Sequence, residues 1–103
     1  MALPTPPTVA QILTAATDSV TLINGINTDG ADSIYAGATI EPDGTVVAST
    51  WTQAKINHKV QQNVDHLTII LAYDGNGHAD VAGSSDDKSS YTTAITTGNA
   101  YIA

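Results

Sequence analysis

Apolar positions are densest over residues 64–81, Val-Asp-His-Leu-Thr-Ile-Ile-Leu-Ala-Tyr-Asp-Gly-Asn-Gly-His-Ala-Asp-Val. Taken at a two-residue period, Leu67, Ile69, Leu71 and Tyr73 share one face, and Thr68, Ile70 and Ala72 the other. A run apolar on both faces, rich in β-formers and stopped by Asp-Gly-Asn-Gly, predicts a central buried strand entering a tight turn. Beyond the turn, Val81 falls on the Ile70/Ala72 face and Asp80 on the Leu71/Tyr73 face.

Upstream, a helix is predicted over residues 9–23. Thr8 and Gln11 form a Thr-x-x-Gln capping box. Val9, Ile12, Leu13, Ala16, Val20 and Ile23 lie within an arc of about 100°. Asn24-Gly25 supplies a left-handed stop, and residues 24–33 have the composition of a loop. Residues 33–40 and 45–51 then flank Glu41-Pro42-Asp43-Gly44, a hairpin turn with Pro in second position and Gly in fourth. Pairing across four residues would put Ile34, Ala36, Ala38 and Ile40 on the face of Val47 and Trp51. Residues 52–63 fit either a helix or a strand. A polar loop at 83–90 and a Thr-rich strand at 91–97 complete the pattern.

These elements predict one mainly β (α+β) domain over residues 8–103: a small antiparallel sheet, sandwich or barrel of hairpins with one N-terminal helix. The expected core is Ile12, Leu13, Val20, Trp51, Leu67, Ile69, Ile70 and Leu71. Residues 1–7, with Pro4, Pro6 and Pro7, are expected to be a Pro-rich arm biased towards extended geometry, either a disordered leader or a strap laid on a neighbour.

Composition narrows the chemistry. Phe is absent and Trp occurs once, whereas Ala and Thr supply 15 residues each, so the core must be built from small pieces. Ten acidic residues against three Lys and no Arg give a net charge of −7. That balance repels phosphate backbones and argues against nucleic acid or anionic membrane as partners. Without Cys there are no disulfides, thiolate nucleophiles or Cys-type zinc sites. The first seven residues lack the basic and apolar regions of a secretion signal, so folding in the cytoplasm is expected.

Asp74, Asn76 and Asp80 have the oxygen-ligand spacing of a calcium loop. The sixth position of that loop is Ala79 and the twelfth is Ser85, where such loops need Gly and Glu, so a structural turn is the preferred reading. His58, His66 and His78 form no ligand set, because the predicted hairpin holds His66 and His78 at opposite ends. Asp65 and His66 would point to opposite faces of a strand and form no dyad. No Gly-x-Ser-x-Gly elbow and no phosphate loop occurs. No catalytic residue, metal or cofactor is expected, and the chain reads as a non-enzyme.

A Thr- and Ala-rich, Arg-free, Cys-free acidic chain with a Pro-rich arm, Asp-Gly turns and an apolar end (Tyr101-Ile102-Ala103) resembles small bacteriophage virion proteins. Within that group it is most similar to head-decoration (cement) proteins. The resemblance implies a virion protein that binds an assembled capsid as a trimer and stabilises it. Small tail or fibre-base subunits fit the same composition. A small domain with few large side chains gains stability by burying surface against copies of itself or a capsid protein. Leu3, Pro4, Pro6, Pro7, Tyr101 and Ile102 are the contact residues expected on this reading. The alternative is a monomeric carbohydrate- or calcium-binding module using Trp51 or the 74–80 loop.

Overall fold

A computed structural model describes residues 6–103. Among these residues the chain forms three helices, α1 (Val9–Asp29), α2 (Gln53–Leu71) and α3 (Ser89–Ile102). Two short 3-10 turns and a minimal hairpin, β1 (Thr39–Ile40) and β2 (Val46–Val47), connect α1 to α2. The mainly β expectation is therefore overturned: this is a helical bundle carrying one small ribbon.

Helix α1 starts as its sequence dictates. Thr8 Oγ1 accepts from Gln11 N–H (3.2 Å) and Thr8 N–H donates to Gln11 Oε1 (2.9 Å). The helix does not stop at Asn24-Gly25. It runs on, buries Ile26, and ends at Gly30, whose φ of +58° departs from the helix. Gly25 instead makes room for a neighbour, since a Cβ there would lie 2.6 Å from the Tyr35 ring.

The predicted central strand is the C-terminal half of α2. Ile56, Val60, Val64, Leu67 and Ile70 are buried at steps of four, four, three and three, which is one helical stripe. Ile69, assigned to the core on the strand reading, faces outward and is 58% exposed. Thr68 suits the helix because its Oγ1 donates to Val64 O (2.9 Å), a bond that β-branched Thr makes within a helix. The predicted Thr-rich strand at 91–97 is likewise part of α3. Thr92 donates back to Lys88 O and Thr96 to Thr92 O, while Ala94 and Gly98 are buried.

Helix α1 packs antiparallel to α2, with Ser19 Oγ donating to Asn63 Oδ1 (2.9 Å) across their contact. Helix α3 lies alongside both. Its Tyr91 hydroxyl donates to Leu13 O (2.9 Å), and its Tyr101 hydroxyl accepts from Gln53 Nε2 (2.8 Å). The core is aliphatic throughout: Ile12, Leu13, Leu67 and Ile70 are buried, and Val20, Trp51 and Leu71 pack partly buried around it. The molecule is thin, with extents of 47 × 35 × 22 Å and a radius of gyration of 16.1 Å. A close-packed domain of about 100 residues has a radius near 13 Å.

Candidate functional site

Three surfaces carry chemistry. The first is the loop that brings the chain from α2 to α3. Asp74 and Asp80 face each other in a single antiparallel bridge. Asp74 Oδ1 accepts from Asn76 N–H (3.1 Å) and Asp80 Oδ1 from Gly83 N–H (2.7 Å), so both carboxylates hold the loop's own backbone. Val81 anchors the loop in the core. Among the described residues no group of three or more His, Asp or Glu is placed to hold a metal ion.

The second is a groove of about 560 Å³ between α1 and α2, lined by Pro7, Gln11, Ile12, Ala15, His66, Ile70, Tyr73 and His78. His66 and His78, set apart by the hairpin expectation, both line this groove because α2 and the following loop flank it. The His78 ring stacks on Tyr73 at 3.9 Å between centroids, inclined by 18°. His78 Nδ1 is buried without a hydrogen-bond partner.

The third surface is the hairpin and its root. Glu41 N–H donates to Thr45 O (2.8 Å) and Gly44 N–H to Glu41 O (2.9 Å), a turn closed by Gly44 at φ +89°. Gly44 is thus an extra, bulged residue, and the register shifts by one from the expected pairing. Ile40 stands opposite Val46, and Thr39 opposite Val47. Residues 39–48 are exposed without exception. They include Ile40 (57%), Val46 (47%) and Val47 (45%), with Ile34 and Tyr35 exposed just upstream.

Trp51 closes the hairpin's root. Its indole packs on Gly37, where a Cβ would lie 2.9 Å from Cε2. Lys55 Nζ sits 4.6 Å from the centre of the ring, within cation–π range. Trp51, Lys55, His58, Lys59 and Gln62 line a hollow of about 210 Å³ on the outer face of α2. The positions 55, 58, 59 and 62 share one helical face. Two of the chain's three Lys stand here, and the third, Lys88, donates to Ser84 O (2.7 Å) inside the loop before α3.

Of the contact residues expected from sequence, Pro6 and Pro7 are exposed, and Pro7 borders the α1/α2 groove. Leu3 and Pro4 lie outside the described residues. Tyr101 and Ile102 are partly buried against the chain's own core. No helix among the described residues is long and apolar enough to cross a membrane. Compared with known proteins, the chain matches no family model, no curated protein and no solved structure.

Proposed function

We propose that this chain is a non-enzymatic structural subunit of a phage virion, most specifically a head-decoration protein, that associates with itself and seats on a larger protein surface. One observation carries the assembly part: the hairpin offers Ile40, Val46 and Val47 to solvent on a ribbon with only two paired residues per strand. Such a ribbon is marginal in water by itself, and a partner that covers it would supply the missing stabilisation. The thinness of the bundle supports the same reading, because a body 22 Å deep buries little apolar surface internally. Composition supports the virion part. Sedimentation velocity of the pure chain, followed by co-sedimentation with emptied and expanded phage heads, tests the proposal. The expected result is a concentration-dependent oligomer that pellets with heads.

The groove holding the Tyr73–His78 stack favours a second reading, a monomeric binding module, since its size and apolar lining suit a small ligand. A chain that stays monomeric, ignores heads and melts several degrees higher with a small apolar compound would select that reading.

A further inference from the structure

Resting on the structural-subunit reading, we propose that copies of this chain join head to tail: the acidic tip of one hairpin, Glu41-Pro42-Asp43, docks on the Trp51–Lys55–Lys59 hollow of the next copy.

Charge sets the problem. Each copy carries −7, so most ways of bringing two copies together oppose acid with acid. Lys88 follows Asp86 and Asp87 in the chain and is tied to Ser84 O, which leaves the α2 hollow as the concentration of positive charge. Its Lys55 and His58 are exposed, and its Lys59 is half-buried.

The hairpin is complementary in two respects. Glu41 and Asp43 are exposed at its end, and Ile40, Val46 and Val47 are exposed beside them. The hollow pairs the same two chemistries with opposite charge: an indole face beside two ammonium groups. Asp43 accepts from Thr45 N–H (2.9 Å), a bond that lowers its pKa and favours the charged carboxylate. Both halves belong to one chain, yet the tip stands free in its own copy. Joined head to tail, tip to hollow, the contact is heterologous and closes into a ring or runs on as a filament.

The test is a charge swap followed by sedimentation velocity, with circular dichroism confirming the helical fold of each variant. Lys55→Glu/Lys59→Glu makes the hollow acidic. Glu41→Lys/Asp43→Asn makes the tip basic while leaving an oxygen to accept from Thr45 N–H. Each double variant alone should associate about tenfold more weakly or worse, the loss of close opposite-charge pairs. An equimolar mixture of the two should assemble again, as should the chain carrying all four changes. Raising salt from about 0.05 to about 0.5 M should weaken the wild-type contact. Variants that assemble like the wild type, or losses that neither the mixture nor the fourfold variant restores, overturn the docking mode and leave self-association standing. A wild-type chain that is monomeric throughout overturns both.

Discussion

Gly98 on α3 meets Val64 on α2 so closely that a Cβ at Gly98 would lie 2.5 Å from Val64 Cγ2 and 3.3 Å from Val60 Cγ1. The absent side chain is what lets α3 settle between its two neighbours. Helix propensity alone favours Gly98→Ala by about 1 kcal/mol. Packing reverses the sign, because Val64 and Val60 are buried and stiff at χ1. Gly98→Ala is expected to destabilise the bundle by about 1–3 kcal/mol, checked by urea denaturation. Gly25→Ala should cost less, since the Tyr35 ring it would meet is half-exposed and can swing away.

Leu67 and Ile69 distinguish the helix from the strand that the sequence suggests. On a strand they would share a face and an energetic cost. On α2, Leu67 is fully buried and Ile69 is 58% exposed. Leu67→Ala should cost about 2–5 kcal/mol, whereas Ile69→Ala should stay within about 0.5 kcal/mol, both read from urea denaturation.

Two carboxylates make small contributions to stability on the acid side. Asp43 is lowered by hydrogen bonds from the backbone and hydroxyl of Thr45, and Asp87 by those from the hydroxyl and backbone of Ser89. A carboxyl lowered on folding stabilises the fold above its unfolded value, near 3.9, and that contribution fades as pH falls through the lower folded value. Titration followed by NMR should place both below the ordinary value of an Asp side chain. Asp43→Asn and Asp87→Asn should each flatten the loss of stability below about pH 4. Both groups are fully exposed, so the effects are small.

The C-terminal turn of α3 belongs to the bundle. Tyr101 and Ile102 pack on the core, and Gln53 Nε2 donates to the Tyr101 hydroxyl. Deleting residues 99–103 should lower the melting temperature, and Tyr101→Phe alone should cost about 1 kcal/mol or less.

Local signals are legible in the sequence, and long-range ones are not. Thr8 and Gln11 announce the start of α1, and Glu41-Pro42-Asp43-Gly44 announces a turn, because each acts through neighbouring backbone groups. Asn24-Gly25 looks like the end of α1, whereas Gly25 answers to Tyr35, ten positions along. The β reading of α2 and α3 arises from their Thr, Ile and Val content. In the fold the Thr hydroxyls bond one turn back, and only one face of each helix is buried. The four-residue step of Ile56, Val60 and Val64, extended through Leu67 and Ile70, is the signal in the sequence that marks the helix. The clustering of Lys55 and Lys59 is visible in the sequence, but its alignment with Trp51 needs α2 to start at Gln53. The exposed hairpin face depends on the bulge at Gly44, which shifts Ile40 to face Val46.

On the proposed function the exposed hairpin is an assembly element, carried by a helical bundle that folds without it. Sedimentation velocity of the intact chain beside an Ile40→Thr/Val46→Thr/Val47→Thr variant tests this role. Thr keeps the strand preference while removing apolar surface worth about 25 cal/mol per Å² on burial. The wild type should associate with rising concentration, and the variant should remain a monomer with the same helical circular dichroism and melting temperature. A wild type that stays monomeric, or a variant that associates equally well, would rule out the hairpin as the assembly element.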